Sequence, residues 1–570
     1  MDMNIRIKRI FVIILVFSLL LGSTAGLRIP SVVSSDAKAK KTKKKPKLIR
    51  KTSKGKVKGR KNNAGTAMIW YGIPYGANTK GNNRWKAPQP VKSWKGVRKA
   101  RNKKKGAVRA DGDSYAGTEN CLYVNVYRPY TREKKLPVMV YLHGGNNNSG
   151  TANTNFSKLA VKTNTVIVAV SFRLGAFGFL NHPALQQGTA EENSGNFALL
   201  DIRQALCWVR DEISSFGGDA ANVTLSGFSA GARDVLMCMI SPVMKGLFHK
   251  AILLSGGMTV SSPEEGKISV EKKLASILVK RGEYAKKSEA LAYIKSSSLQ
   301  TIRELFNSLT TNEIAQMYKK FNLRLEDFPQ GFTDGVVLPE QGFSVISQGN
   351  YNRVPVILGS DATEFSSFAW KDNSFFSNNP GFDPLDLLAK GIQYGSQLQS
   401  AYNVENTAKT LIGDTGHNAV YAFRFRWGTT AAVTNSFYSK YVGAYHGAGR
   451  DFLQGVYPSK KEYAPSVISA KNKKGRKALT AQMQKYIKNF LKKGNPNGGS
   501  LIKWKVWKDT PGSKKIMNFN AGKQKATSKM SVEKYDPVLI RYAMSKNLTA
   551  QEYTFLTETV LKGRYFMSAE

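Results

Sequence analysis

The segment from Val223 to Gly231 constrains the fold of this chain more than any other. A short apolar run, Val223-Thr224-Leu225, leads into Gly227-Phe228-Ser229-Ala230-Gly231, and a small, helix-compatible stretch follows. Glycines on both sides of a serine make room for a sharp turn between a strand and a helix, which presents the hydroxyl at the end of the strand. The pattern predicts a nucleophile elbow. A free serine hydroxyl is a poor nucleophile, so the interpretation requires a base and an acid elsewhere in the chain.

Other apolar, β-rich runs predict the sheet that would carry this elbow. They are residues 138–142, 165–172, 223–225, 251–255 and 354–358, with helical patterns between them that include 197–214. Strands that are apolar throughout are typical of a parallel sheet covered by helices on both faces. The 570 residues are enough for one large α/β domain with a sizeable core, and the sequence has no internal repeat.

The residues downstream of Ser229 include candidates for the acid and the base. Where a serine occupies such an elbow, the acid and then the histidine follow along the chain. A strand-like run ends at Gly359 and leads to Asp361 and Glu364. His446 comes later, among small residues that suit a loop reaching a pocket. The order of the three groups therefore agrees with the elbow, and two carboxylates remain as alternatives for the acid.

The residues upstream of Ser229 include candidates for binding a developing negative charge. The apolar run 138–142 ends in His143-Gly144-Gly145-Asn146. Backbone amides after such a strand can point at an oxyanion, and glycines allow a close approach.

These segments, with several others, resemble the type-B carboxylesterase family, which includes para-nitrobenzyl-type esterases and cholinesterases. The resemblance runs from about Lys54 to about Trp507. The further segments that carry it, in the family's order, are Tyr71-Gly72-Ile73-Pro74-Tyr75, Arg84-Trp85, Glu119-Asn120-Cys121-Leu122-Tyr123-Val124-Asn125-Val126, Arg173-Leu174-Gly175-Ala176-Phe177-Gly178-Phe179-Leu180, Gly195-Asn196 and Phe216-Gly217-Gly218-Asp219.

The resemblance implies an α/β-hydrolase fold, with a mostly parallel central sheet flanked by helices and with helical cap insertions. The polar, helical stretch 263–320 is interpreted as part of the cap, with Ser262 as its N-cap and Pro263 in the first helical position. The implied activity is hydrolysis of carboxylic esters through an acyl-enzyme. Matched residue by residue, the catalytic groups would be Ser229, Glu364 and His446, and the oxyanion hole would be the amides of Gly145, Asn146 and Ala230.

Four positions depart from the family pattern. Phe228 stands where the family commonly has Glu, and Asn146 stands where it has a small residue. Gly449 replaces a frequent acid three positions after the histidine, and Thr363-Glu364-Phe365 replaces Asp-Glu-Gly. Asp361 therefore remains an alternative acid, although the spacing from the strand-ending glycine favours Glu364.

The N-terminal region predicts export. Basic residues, an apolar run from Ile10 to Leu21 and small residues to Gly26 form the three-part layout of a signal peptide, 1–26, with an uncleaved anchor as the alternative. A basic, disordered linker is predicted for 27–50, ahead of the hydrolase domain, 51–570. No other segment predicts a transmembrane anchor, so we expect a secreted or cell-wall-associated protein.

The charge predicts an association with polyanions. Residues 38–61 hold fourteen Lys and Arg and no acid, and about +33 of the net charge of +47 lies elsewhere. In an exported protein this favours anionic cell-wall polymers as neighbours. No nucleic-acid-binding motif is present, and no His, Cys or carboxylate spacing predicts a metal or other cofactor. The expected substrate is a small-molecule or glycan-linked ester. The alternatives are an inactive surface binding or adhesion protein, an acyltransferase and an amidase.

Overall fold

A sheet of eleven strands forms the centre of the molecule. The computed structural model describes residues 45–319, 323–377, 381–457 and 467–567. Its strands are β1 Ile49–Thr52, β2 Gly55–Lys58, β3 Arg60–Lys61, β4 Ala67–Pro74, β5 Val97–Lys99, β6 Arg109–Asp111, β7 Ser114–Ala116, β8 Tyr123–Pro129, β9 Leu136–Leu142, β10 Val166–Ser171, β11 Gly218–Phe228, β12 Lys250–Leu254, β13 Val356–Asp361, β14 Val420–Phe425, β15 Ile516–Phe519 and β16 Lys529–Ser531.

The order of strands in this sheet is β16-β15-β14-β13-β12-β11-β9-β10-β8-β4-β3. The neighbours from β10 to β15 are parallel, and the pairs at the two edges are antiparallel. Two small sheets, β1-β2-β5 and β6-β7, lie outside it. The predicted mostly parallel sheet is confirmed. All five predicted apolar runs contribute to it.

Helices cover both faces of the sheet and its carboxyl edge. The α-helices are α1 Ser157–Thr163, α2 Ala190–Asn193, α3 Phe197–Glu212, α4 Ala230–Ile240, α5 Pro263–Lys280, α6 Lys287–Ser296, α7 Leu299–Ser308, α8 Thr311–Gln316, α9 Ser366–Ala369, α10 Pro384–Ser400, α11 Thr407–Gly413, α12 Ser436–Tyr441, α13 Ala448–Gln454, α14 Lys473–Lys493, α15 Pro537–Asn547 and α16 Ala550–Thr554. Two π-helical segments, Ala401–Asn406 and Phe555–Leu561, extend α10 and α16. No helix in the described ranges is both long and apolar enough to cross a bilayer.

Alternate residues of each central strand enter two separate cores. On β9, Val138 and Val140 pack into one hydrophobic cluster, whereas Met139 and Tyr141 pack into the other. Successive side chains of a strand point to opposite faces, so a strand buried on both sides must be apolar at every position. Burying each such Val or Ile stabilises the fold by roughly 1.5–3 kcal/mol, which anchors the strand ends that carry the site.

The predicted cap region is helical, as expected. It forms α5 to α8, and Ser262 caps α5 through the amide of Glu265, whose side chain reaches back to the Ser262 amide. Pro263 occupies the first helical position. Thr310 and Glu313 form the same reciprocal cap on α8. These caps satisfy amides that have no partner inside the helix.

The N-terminal boundary differs from the sequence prediction. The signal peptide, 1–26, and the linker up to residue 44 lie outside the described residues. The end of the predicted linker, however, is ordered, because Ile49 and Arg50 begin β1, which pairs with β2. Val57 on β2 is fully buried in the core and Thr52 accepts the amide of Gly55, so the lysines of this segment alternate with residues that anchor it. The disorder predicted for residues 27–44 stays a prediction.

Candidate active site

Ser229 lies on a strained turn between β11 and α4. Its backbone has φ 56° and ψ −123°, a conformation that is unusual for a residue with a side chain. The amide of Ser229 donates to the carbonyl of Leu254 on β12, and its carbonyl accepts the amides of Ala232 and Arg233. The turn is therefore held from both sides. The side chain stands at the carboxyl edge of the parallel sheet, where sites in open α/β sheets form.

The glycines around Ser229 are required by close backbone approaches. A Cβ on Gly227 would lie 2.0 Å from the carbonyl oxygen of Gly231, and a Cβ on Gly231 would lie 2.5 Å from that of Leu142. Neither contact is sterically possible. The Gly-x-Ser-x-Gly spacing therefore follows from the packing of the strand, the turn and the helix, as the sequence predicted.

The structure brings Glu364 and His446 together. Glu364 follows β13 and is fully buried, and His446 precedes α13. The Glu364 Oε2 and the His446 Nδ1 are 2.5 Å apart. The Nε2 of His446 is buried and has no hydrogen-bond partner among the described residues, so it makes no hydrogen bond to the Ser229 hydroxyl. Catalytic hydrogen bonds of this kind often form only when substrate is bound.

Asp361, the alternative acid, has another role. Its carboxylate accepts the amides of Gly447 and Gly449, each at 2.7 Å, and so holds the loop that carries His446. Burial and the neighbouring Glu364 carboxylate raise the pKa of Asp361 well above its usual range. A Cβ on Gly449 would lie 2.8 Å from Asp361 Oδ1, which explains why this position is glycine here. Glu364 is the carboxylate that contacts the histidine.

The candidate oxyanion loop lies against the elbow. A Cβ on Gly144 would lie 2.9 Å from the Cβ of Ser229, so the loop and the serine are in close contact. Gly145 has φ 119° and Asn146 has φ 54°. The third candidate, Ala230, is the first residue of α4, where backbone amides have no acceptor within the helix. Gly144 and Ala230 thus lie against Ser229, and Gly145 and Asn146 follow Gly144 directly in the loop.

His143 supports this loop. Its ring stacks on Phe172 with centroids 4.7 Å apart, and its Nδ1 is 3.0 Å from the carbonyl oxygen of Gly144. Burial lowers the pKa of His143 to about 4, so the ring is neutral at pH 7. A neutral ring can donate from Nδ1 to this carbonyl. His143 therefore has a structural role beside the loop.

Two charged residues of α4 reach the loop, and the sequence reasoning missed both. Arg233 donates to the side-chain oxygen of Asn146 at 2.8 Å. Asp234 accepts from the side-chain amide of Asn147 at 2.7 Å. The sequence did contain a signal for them. Arg233 and Asp234 are adjacent charged residues in the first turns of a helix that must be buried behind the elbow.

Phe228 packs directly on the histidine. Its ring centroid is 4.8 Å from that of His446, and the guanidinium of Arg450 lies 4.2 Å from the Phe228 ring centroid. Phe368 contacts the same imidazole, with centroids 5.0 Å apart. The position that departs from the family pattern therefore places an aromatic ring, and not a carboxylate, against His446. Within the described ranges, no three His, Cys, Asp or Glu side chains are grouped to hold a metal ion.

A serine at a strand–helix elbow, with a Glu–His pair at the carboxyl edge of the same mostly parallel sheet, defines an α/β-hydrolase. The sequence matches the model of the carboxylesterase family over residues 46–383 and 383–538. This chain belongs to the carboxylesterase family, and it is a carboxylic ester hydrolase.

Individual relatives agree with this assignment. The para-nitrobenzyl esterase of Bacillus subtilis (strain 168) is 30% identical over 482 residues, which are 80% of this chain and 92% of the relative. The fumonisin B1 esterase of Sphingopyxis macrogoltabida is 32% identical over 366 residues, 62% of this chain and 61% of the relative. A solved structure of the Geobacillus stearothermophilus carboxylesterase superposes with a TM-score of 0.65 at 24% identity, over 85% of this chain and 98% of that chain. This structural similarity supports the assignment of the fold.

Proposed function

We propose that this protein hydrolyses esters through an acyl-enzyme on Ser229. The observation that carries the proposal is the 2.5 Å contact between Glu364 and His446 beside the strained serine turn. His446 Nε2 takes the proton of the Ser229 hydroxyl as the oxygen attacks the ester carbonyl. Glu364 holds the ring in the tautomer whose Nε2 is free to accept, and it stabilises the imidazolium that forms.

The amides of Gly145, Asn146 and Ala230 bind the oxyanion in this proposal. Their support is the close contact between the loop and Ser229 and the position of Ala230 at the start of α4. Losing one such donor typically reduces kcat by about 10²–10³. The imidazolium then protonates the departing alcohol. Water, deprotonated by the same His446, attacks the acyl-enzyme and releases the acid and the free Ser229.

The test compares hydrolysis of p-nitrophenyl acetate and butyrate by the protein and by its Ser229→Ala variant. Turnover by the protein alone supports the acyl-enzyme. Absence of turnover by a folded protein would refute it and favour the inactive binding or adhesion protein. Comparing the products formed in water with those formed in added alcohol or amine distinguishes a hydrolase from an acyltransferase, and an amide substrate tests for an amidase.

We further propose that the protein is secreted and associates electrostatically with anionic cell-wall polymers. A basic face on α14 supports this partner. The helix contains no acidic residue, and five of its seven exposed lysines lie within one narrow stripe: Lys474, Lys477, Lys485, Lys488 and Lys492. Lys473 and Lys493, at the two ends of the helix, lie outside the stripe. At 1.5 Å per residue the stripe is about 27 Å long. Lys523 and Lys525, also exposed, lie on the loop that contacts its first turn through the bond from the Gly475 amide to the Lys523 carbonyl.

A charge-reversal experiment tests this face. Changing Lys477, Lys485 and Lys488 to Glu should weaken binding to a poly(glycerol phosphate) chain and reduce its dependence on salt. The matched control reverses Lys280, Lys287 and Lys295, exposed lysines of the cap helices, with the same change in net charge. Equal weakening by both sets would show that binding follows net charge and would overturn the assignment to α14. An ester linked to such a polymer is the substrate class this partner favours.

A further inference from the structure

Two successive asparagines in the candidate oxyanion loop have left-handed backbones. Asn146 has φ 54° and Asn147 has φ 55°, directly after Gly145 at φ 119°. A left-handed residue with a side chain costs roughly 1–2 kcal/mol, and asparagine tolerates the conformation better than most. Such a conformation persists only where the surroundings hold it.

The surroundings here are the side chains of α4. Arg233 Nη2 donates to Asn146 Oδ1 at 2.8 Å. Asn147 Nδ2 donates to Asp234 Oδ1 at 2.7 Å and to Gln330 Oε1 at 2.8 Å. All five residues are buried. Asn146 and Asn147 are therefore each tied by the side chain to one of two adjacent residues on the helix that begins next to Ser229.

The charges of Arg233 and Asp234 are costly at these positions. Arg233 is 4% exposed, makes no ion pair among the described residues, and lies over the ring of Tyr565 at 5.4 Å. Burial lowers the pKa of Arg233 and raises that of Asp234 to about 7. A buried charge without a close partner costs several kcal/mol. We therefore expect Arg233 and Asp234 to have a role that a neutral pair of core residues could not perform.

The orientation of the loop peptides indicates what the role of Arg233 and Asp234 is. The carbonyl of Gly145 accepts the amides of Asn148 and Ser149. In a trans peptide the N–H points opposite to the C=O, so the amide of Asn146 points away from that turn. The carbonyl of Gly144 faces the ring of His143, so by the same rule the amide of Gly145 points away from that ring.

We propose that Arg233 and Asp234 are positioning residues, which lock Asn146 and Asn147 in the backbone conformation that aims the amides of Gly145 and Asn146 at the oxyanion. The inference rests on the proposed acyl-enzyme mechanism. Because Ser229 starts the same helix, the lock places the nucleophile and the oxyanion loop on one rigid element. Asn146, which replaces a small residue, the neighbouring Asn147 and the charged pair behind the elbow then have one common explanation.

A double-mutant cycle tests the lock. Arg233→Met keeps the length of the side chain but removes its charge and donors, and Asn146→Gly removes the acceptor while tolerating positive φ. We expect Arg233→Met to lower kcat about 10–100-fold with KM changed less than about threefold, because displacing a catalytic group by about 1 Å costs about 10² in rate. In the Asn146→Gly background the same substitution should change kcat less than about threefold. Arg233→Lys, which retains a donor, should recover most of the loss.

Equal losses in both backgrounds, or a kcat for Arg233→Met within twofold of the parent, would overturn the lock. A second readout does not depend on turnover: hydrogen exchange of the segment 143–150, measured in the Ser229→Ala background. Arg233→Met and Asn146→Gly should each accelerate it, and unchanged exchange in both would overturn the proposal. Asn146→Gly makes this test from the loop side if Arg233→Met does not fold. A parent without esterase activity would refute the proposed function, while the exchange experiment would still test the lock.

Discussion

Replacing Glu364 with Gln should inactivate the enzyme, although glutamine has the same number of heavy atoms as glutamate and leaves the shape of the site unchanged. Glu364 Oε1 accepts the amide of Asp361 at 2.9 Å, and Oε2 contacts His446 Nδ1 at 2.5 Å. The buried Asp361 amide needs an acceptor, so the Gln oxygen must take the Oε1 position. The Gln NH₂ group then faces Nδ1, which must become the acceptor. The imidazole proton moves to Nε2, and the ring can no longer take a proton from Ser229.

The expected loss follows from this change of tautomer. An inverted tautomer in a serine triad reduces kcat by about 10⁴, which corresponds to about 5 kcal/mol of transition-state stabilisation. The assay is hydrolysis of p-nitrophenyl butyrate, with kcat and KM measured separately. KM should change little, because the substitution leaves the shape of the site unaltered.

Glu271→Gln is the matched control for this substitution. Glu271 is also buried beside a histidine, with its Oε1 3.8 Å from His182 Nε2, but it lies on α5 away from Ser229. The control should keep kcat within about twofold. A kcat for Glu364→Gln within tenfold of the parent would refute the assignment of Glu364 as the residue that sets the tautomer of His446.

Three further predictions follow from buried contacts. Phe228→Glu places a carboxylate against His446 and should move the acid limb of the pH–kcat/KM profile to higher pH, because a nearby negative charge favours the imidazolium; Phe228→Leu should leave that limb in place. The contribution of His143 to the free energy of unfolding should be lost as the pH drops from about 6.5 to about 4, because the pKa of His143 is lowered from 6.5 to about 4 and the unfolded state binds the proton first; the difference in free energy of unfolding between the protein and its His143→Asn variant, measured by urea unfolding, should therefore shrink across this range, and a constant difference would contradict it. Asp234→Asn should raise the free energy of unfolding at pH 8 by up to about 4 kcal/mol, because burial raises the pKa of Asp234 from 3.8 to about 7 and its ionisation there is unfavourable; an unchanged urea midpoint would contradict this.

The features that the sequence determined by itself are those encoded by local spacing. Gly227 and Gly231 are required by the backbone contacts of one turn, and the strands around them are apolar at every position because both faces of the sheet are covered. The elbow and the parallel sheet could therefore be predicted. Glu364, His446 and the loop at Gly145 could be named as candidates from their order along the chain and from nearby strands and glycines, and the resemblance to the family assigned their roles.

The tertiary structure decided which of these groups meet. Asp361 and Glu364 are three residues apart and both lie near the end of β13, so Asp361 remained an alternative although the spacing favoured Glu364. In the structure His446 contacts Glu364, whereas the amides of Gly447 and Gly449 donate to Asp361. The start of β1 at Ile49 was missed for a related reason. The lysines near Ile49 predict disorder, and the pairing of Ile49 with Lys58 does not appear in local composition.

The contacts of Arg233 and Phe228 could not be read from the chain at all. Arg233 meets Asn146 across 87 positions, because β9 and β11 are neighbours in the sheet and the loop after one lies against the helix after the other. Phe228 meets His446 and Arg450 in the same way, across strands far apart in sequence. Local patterns determine turns, strands and glycines because those depend on neighbouring residues. Which charged side chain meets which loop depends on the order of strands, and only the folded sheet supplies it.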